Sequence, residues 1–453
     1  MTAASPVKQR VMKMTQLFWY RSTSAPQNTG ANHIASPFDD HDPDAAYISI
    51  APMHLRGAFW SMLSRPVSGL MYHGWSSLVP TDGTHPYKYT QPDLQTEFRR
   101  LHHDILEPLG PTLLQIPDRP SDVAYLDSFT AQMFARRGSY GYSHDEAYLT
   151  LLHAQLQPQV IFEETLLKQG LNGFKVLVLV DCDVLTASVA ARIIEFQQRG
   201  GIVIGDPNLA PAIKPDIVLP RFTRTKKTAE DKGAILANAA NLRMALDARY
   251  QRFANCSNPE IVSRVRASGE SDYIFVVNDH REFGAYVGQH GLVMENGLPS
   301  DGTIAVRRHA GHVYDLLTHR KVASVANEEV VTWPVELGPC EGGLFLVTPR
   351  PIERLIIAAP ETTQSGSAVD VDISIADSTG TPVSAVIPLR VEITDSAGRL
   401  AEWSGFYGAA NGTLKLKLDI ASNDAPGAWQ IRVQELASGL IARQSVRVRT
   451  GGM

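Results

Sequence analysis

Cysteine is scarce: Cys182, Cys256 and Cys340 are far apart in a chain of 453 residues, and their number is odd. They compose neither a disulfide framework nor a CxxC metal site. Apolar runs are short. None reaches the ~18 residues a membrane-spanning helix needs, so no membrane partner is expected. Positive charge is not in excess. The formal net charge is -5, and the one dense basic run, Arg224-Thr225-Lys226-Lys227, reads as a solvated loop, which gives no electrostatic case for nucleic acid. Met1 to Lys13 carries basic residues with no apolar stretch behind them, so no signal peptide is expected. As written, the chain is expected in the cytoplasm; it would be exported if the native chain extended upstream of Met1. Glutamate is absent ahead of Glu97.

What is present is ordinary globular material, 44% apolar and 20% charged, with length for about three domains of roughly 150 residues each. The fold class expected is α/β plus all-β. Residues 1–135 mix short apolar strands with amphipathic helices. Leu55, Phe59, Met62 and Leu63 recur at helical spacing, as do Leu94, Phe98, Leu101 and Ile105. Between them "GLMYHGW" reads as a buried strand, Leu70 to Tyr72, opening onto His73 and Trp75. Val123 to Leu126 reads as a further strand of the same segment.

A second unit, 136–230, opens on Ser143-His144-Asp145-Glu146, a capping box. Strand Val160–Phe162, the apolar run Val176–Val180, helix Ala187–Arg199 and strand Ile202–Ile204 follow. The run suits a central parallel strand buried on both faces, and Gly200-Gly201 stops the helix. Together they predict a flavodoxin-like core. Residues 231–265 read as a helical connection. Residues 266–350 hold short strands divided by turn residues, an antiparallel β-domain. Thr362 to Ala368 reads as a linker, and clean alternation over 362–450 predicts an Ig-like β-sandwich.

This order resembles the C-terminal part of family 42 glycoside hydrolases, the β-galactosidase-type enzymes. "LRGAFWSMLSRPVSGLMYHGW" carries the resemblance for the end of a catalytic (β/α)8 barrel. "SHDEAYLTLLHAQLQPQVIFEETLLKQG" with "FKVLVLVDCDVLTASVAARIIEFQQRGGIVI" carries it for a class I amidotransferase-like trimerisation domain. "YIFVVND" and "VYDLLTHRKVA" carry it for the small β-domain. The Ig-like tail departs from the family pattern. So does the length of the first segment: a full barrel takes about 250 residues, and 1–135 holds only an incomplete (β/α) barrel remnant, its last βα units. Retaining glycosidases place two carboxyl groups about 5 Å apart. In the family both are Glu, and this chain offers neither, since Glu97 already follows the presumed last strand.

The resemblance implies a carbohydrate partner and a homo-oligomer, with a trimer as the family form, and no cofactor. It implies a glycoside-hydrolase-like scaffold that is non-catalytic by itself. The alternatives are an active hydrolase of β-galactoside-type substrates whose missing barrel units come from upstream or from another chain, and an oligomeric assembly module. Trp19, Tyr72, His73 and Trp75 are the expected sugar-binding residues, because flat aromatics cover the apolar face of a pyranose. In "HIASPFDDHDPD", Asp39, Asp40 and Asp42 are the candidate catalytic carboxylates and His33, His41 and Asp44 the candidate metal ligands, against the plainer reading of a solvated acidic loop. Asp181-Cys182-Asp183 and Asp206 are expected at the carboxyl ends of parallel strands, where open α/β sheets hold ligands. Cys182 with His280-Arg281-Glu282 mimics an amidotransferase triad by coincidence, since the strained nucleophile elbow is missing.

Overall fold

The structure, a computed structural model, describes residues 10–20, 47–80, 85–89, 91–134, 142–223, 225, 228–282 and 296–450. It opens with β1 (Met12–Gln16), β2 (Phe18–Tyr20), β3 (Tyr47–Ser49), helix α1 (Pro52–Leu63) and β4 (Gly69–His73). β1 and β4 pair in parallel, with Met12 beside Gly69 and Gln16 beside His73, while β2 and β3 are antiparallel. Among the described residues this is the one parallel strand pair of the first segment. Pro52 starts α1, where its missing N–H costs nothing. Leu55, Phe59, Met62 and Leu63 are buried as their spacing requires.

A continuous helix follows in three parts: α2 (Asp93–Arg100), a π-helical turn (Leu101–Leu106) and α3 (Glu107–Leu113). The Glu107 N–H donates to the His102 carbonyl, five residues back. Pro108 and Pro111 lie just beyond. A proline donates no hydrogen bond and crowds the carbonyl four residues before it, and a widened turn is one way a helix absorbs that. Leu94, Leu101, Ile105 and Leu109 are buried.

The second unit is a five-stranded parallel sheet built from β5 (Val123–Asp127), β6 (Gln159–Phe162), β7 (Val176–Leu179), β8 (Ile202–Gly205) and β9 (Ile217–Val218), in the order β6-β5-β7-β8-β9. That is the 2-1-3-4-5 order of flavodoxin-like sheets. Its helices are α4 (Phe129–Phe134), α5 (Tyr142–His153), α6 (Glu163–Gln169), α7 (Ala187–Gln198) and α8 (Thr228–Asp247). Alternation along β7 explains its unbroken apolar run: Val176 and Val178 face one core with α5 and α8, Leu177 and Leu179 face another with α6 and α7.

Some expectations need correction here. Val123–Asp127 belongs to this sheet, not to the first segment, because it pairs in parallel with both β6 and β7. The stretch read as a connection supplies α8, whose Ala239, Leu242 and Leu246 cover one face of the sheet. Helix α5 begins at Tyr142, so Ser143 lies inside it instead of capping it.

The antiparallel domain starts earlier than its first predicted strand. It comprises β10 (Ala254–Cys256), β11 (Ile261–Ser268), β12 (Ser271–Asn278), β13 (Arg281–Glu282), β14 (Asn296–Gly297), β15 (Ser300–Arg307), β16 (His312–Asp315), β17 (Arg320–Val322), β18 (Val325–Ala326), β19 (Val330–Leu337) and β20 (Gly342–Thr348). The sheets β10-β15-β19-β18 and β11-β12-β20-β16-β17 enclose a shared core. β12 is buried on both sides. Ile274 and Val276 face that core; Tyr273 and Phe275 face α1, the π turn and the last domain.

The last domain is a two-sheet sandwich of β21 (Arg354–Ala358), β22 (Thr362–Gln364), β23 (Ala368–Ala376), β24 (Ile387–Thr394), β25 (Gly405–Ala409), β26 (Thr413–Asp419), β27 (Gly427–Glu435) and β28 (Ile441–Arg449). Its sheets are β21-β23-β26 and β22-β28-β27-β24-β25. Val369, Val371, Ile373 and Ile375 meet Leu389, Val391, Ile431 and Val433 between them. Thr362–Gln364 is not a linker: it is a strand paired in parallel with β28.

Candidate functional site

Strand alternation divides the sugar-binding set. Tyr72 and His73 are neighbours on β4, so their side chains leave opposite faces. Tyr72 turns toward the helices, its ring 4.9 Å from Phe98 and 5.2 Å from His102. His73 turns the other way, 5.5 Å from Phe18 and 5.9 Å from Tyr87. Phe18 and Tyr87 stack at 4.0 Å, with Tyr47 edge-on to both. Of the expected sugar-binding residues, Tyr72 and His73 therefore do not share one surface. Trp19 lies on β2 opposite Ile48, and His33, Asp39, Asp40, His41, Asp42 and Asp44 lie outside the described residues.

Trp75 joins Tyr72 on the helix side. Gly74, at φ 90°, swings the chain back after β4, and Trp75 ends edge-on to Phe98 with ring centroids 5.8 Å apart. Phe98 in turn stacks on His102 at 4.1 Å. The three rings line an open groove of about 560 Å³ with Leu78, Val79 and Leu106; Gln95, Arg99, His103 and Glu107 supply its polar groups. Trp75 is 60% exposed. His102 Nδ1 pairs with the Phe98 carbonyl at 2.8 Å, and burial lowers its pKa, so the imidazole is neutral at neutral pH. The Tyr72 hydroxyl is buried without a hydrogen-bond partner, and burial pushes its pKa above the ordinary range. Glu107 is the one carboxylate lining the groove among the described residues.

Sequence reasoning missed His102 as a groove-lining group and Gln95, Arg99 and Glu107 altogether. The helical period assigned Phe98 to the core, and the π turn that rearranges this face leaves no period of its own. Glu97, one residue away, is structural. Burial would raise its pKa, but Arg100 and Arg56 bond to it and hold it lower. Arg56 also donates to the Pro339 carbonyl, and Trp60 Nε1 donates to Glu341, which docks α1 and α2 on the antiparallel domain.

The carboxyl ends of the parallel strands hold Asp181 and Asp206, as read from sequence. Asp181 has φ 54°, donates its N–H to Asp206 at 2.9 Å and pairs with Arg221 at 2.9 Å. The Cys182 thiol is fully buried, donates to the Val180 carbonyl, and has its pKa raised by burial and then by nearby carboxylates. It is not a nucleophile. His280 sits against Glu260 and the Pro299 carbonyl in the antiparallel domain. Among the described residues no cluster of His, Cys, Asp and Glu is arranged to hold a metal ion.

The fold thus defines a multidomain α/β and β protein with an aromatic groove beside a short parallel strand pair. No protein-family profile and no curated protein matches the chain. Among solved structures, the α-L-fucosidase isoenzyme 2 of Paenibacillus thiaminolyticus aligns with TM-score 0.48 and 13% identity, over 67% of this chain and 58% of that one. A β-galactosidase from Bacillus circulans sp. alkalophilus aligns with TM-score 0.43 and 11% identity, over 66% and 53%. The cold-adapted β-galactosidase of Rahnella sp. R3 aligns with TM-score 0.42 and 11% identity, over 66% and 52%. The alignments span little more than half the length of these three proteins.

Proposed function

We propose that this chain is a carbohydrate-binding, glycoside-hydrolase-like scaffold without glycosidase chemistry of its own. The observation that carries the reading is the groove of Trp75, Phe98 and His102, in which the exposed Trp75 ring stands beside the stacked Phe98 and His102 pair, with Gln95, Arg99 and Glu107 at its edge. A pyranose is complementary to such a surface: its C–H face stacks on aromatic rings and its hydroxyls hydrogen-bond to polar groups at the edge. Glycoside hydrolysis needs a pair of carboxyl groups flanking the bond, one of them protonated. Among the described residues the groove has Glu107 alone, and β1 and β4 end in Gln16 and His73.

β-Galactosides are the first ligands to test, on the strength of the sequence resemblance. Lactose titrated against the full chain is expected to change tryptophan fluorescence saturably, and Trp75→Ala to abolish the change. No turnover of nitrophenyl β-galactoside is expected. A wild-type chain that shows no saturable response to any galactoside would sink the binding reading. Turnover lost on replacing Asp39, Asp40 or Asp42 would establish the active hydrolase in its place.

A further inference from the structure

The seam between the parallel-sheet unit and the antiparallel domain is stitched by two amides. Gln155 donates to the Ile261 carbonyl at 2.8 Å and accepts from Ser263 at 2.8 Å. Gln157 donates to the Val265 carbonyl at 2.9 Å and accepts the Val265 N–H at 2.7 Å. Beside them lies a cavity of about 130 Å³ lined by three guanidinium groups, Arg119, Arg252 and Arg307, and one carboxylate, Asp122.

These charges are unequally satisfied. Asp122 already accepts the Tyr250 hydroxyl at 2.7 Å and faces Lys175 at 3.3 Å. Arg119 lies over the Phe253 ring and pairs with Asp272 at 2.8 Å, a carboxylate it shares with Arg308. The Arg252 side chain is 7% exposed; its Nε donates to the Ala154 carbonyl at 2.7 Å and its Nη1 pairs with Asp247, while its Nη2 is buried with no hydrogen-bond partner. Arg307 makes a marginal 3.5 Å contact with the Gln251 carbonyl. A buried guanidinium N–H without an acceptor costs about 1–3 kcal/mol. A water molecule would satisfy the N–H but add no counter-charge to a cavity lined by three guanidinium groups and one carboxylate. An anion answers both.

We propose that this cavity binds the phosphate group of a small ligand, held by Arg252 and Arg307, and that the bound group ties the two domains together. Guanidinium forks match tetrahedral oxyanions in geometry and charge. The volume fits a lone oxyanion; pockets that enclose larger organic ligands run to about 300–1,000 Å³. The source is free phosphate or the phosphate of a phosphomonoester, and the two are separable.

The test uses the full chain at constant ionic strength. Inorganic phosphate is titrated by calorimetry while the melting temperature is followed. Wild type is expected to bind saturably and to melt higher as phosphate rises, since a ligand of the folded state stabilises by mass action. Arg307→Gln, on a partly buried residue, is expected to fold normally in chloride and to lose affinity at least tenfold. Arg252→Lys is a second variant that keeps the charge and removes the fork, and it is expected to weaken binding as well. Galactose 1-phosphate binding more tightly than inorganic phosphate would assign the site to an ester; the reverse order would assign it to the free anion. Non-saturating stabilisation, equal in wild type and Arg307→Gln, is the general effect of an excluded salt and would overturn the proposal. So would no response at all.

Discussion

Gly74 decides where the aromatic residues around β4 point. Its φ of 90° is open to glycine at no cost, and a Cβ there would sit 2.3 Å from Cδ1 of Phe18. Gly74→Ala is therefore expected to destabilise the chain by about 1–3 kcal/mol through backbone strain and overpacking. Urea unfolding reads the loss, and a midpoint unchanged from wild type would mean that Phe18 yields freely. The sequence showed that Tyr72, His73 and Trp75 were special residues at a strand end. Period-two alternation was enough to separate Tyr72 from His73. Nothing in the sequence tells that Gly74 takes a positive φ and returns Trp75 to the side of Tyr72, because glycine is equally at home in extended backbone.

At the scale of elements, Arg266 joins β11 to the ends of two helices. Its side chain is buried, with Nε donating to the Ile116 carbonyl at 2.9 Å and the Nη atoms reaching the carbonyls of Leu63, Arg65, Leu113 and Ile116. Leu63 and Leu113 end α1 and α3, with Arg65 and Ile116 just beyond, so the guanidinium sits at the negative ends of both dipoles; the Arg65 and Leu113 carbonyls also accept the Val67 and Ile116 N–H groups. Burial lowers the Arg266 pKa to about 10. Arg266→Leu takes this donor from the Leu63 and Ile116 carbonyls and is expected to cost about 3 kcal/mol, read as a lower urea midpoint; a loss under about 0.5 kcal/mol would show that the helix ends find other donors. Helices and strands with strong periods, such as α1 and β7, were legible in the sequence. Partnership was not. Val123–Asp127 looks the same in sequence whether it closes one unit or centres the next, and α8 shows no sharp apolar face because its small residues spread round it. The π turn was hidden for a related reason: Pro108 and Pro111 warn of a disturbed helix without saying how it adjusts.

Across the whole molecule, buried tyrosines sit at the joints. Tyr250 donates to Asp122 beside the parallel sheet. The Tyr273 hydroxyl donates to the Val386 carbonyl and accepts the Val386 N–H, which ties the antiparallel domain to the sandwich. Tyr314 accepts the Ile352 N–H on the way to β21. Burial pushes Tyr314 up to about 12 and raises Tyr72, Tyr250 and Tyr273 further, all from an ordinary 10.0. Above pH 10 the unfolded chain releases phenolic protons that the folded chain keeps, so this contribution to stability is whole below pH 10 and falls as pH rises. Arg243, Arg264 and Arg266, each lowered from 12.5 by burial, act with the opposite sign, three guanidiniums against five phenols once Tyr407, also raised by burial, is included. The urea midpoint is expected to drop as pH rises from about 10 to about 12, with part of the tyrosinate absorbance appearing only on unfolding. If all 14 tyrosines ionised near the ordinary value in a chain still folded, the argument would fail. One more joint has a consequence in time. Helix α3 packs on β24 and β25, and Gln115 donates to the Gly408 carbonyl, 293 residues later. At about 5–20 residues per second of translation, the apolar face of that helix waits about 15–60 s on the ribosome for the strands that cover it. The newborn chain is thus a natural client for a holding chaperone, and a synonymous change that slows translation within the last domain would lower the yield of folded protein without altering a residue.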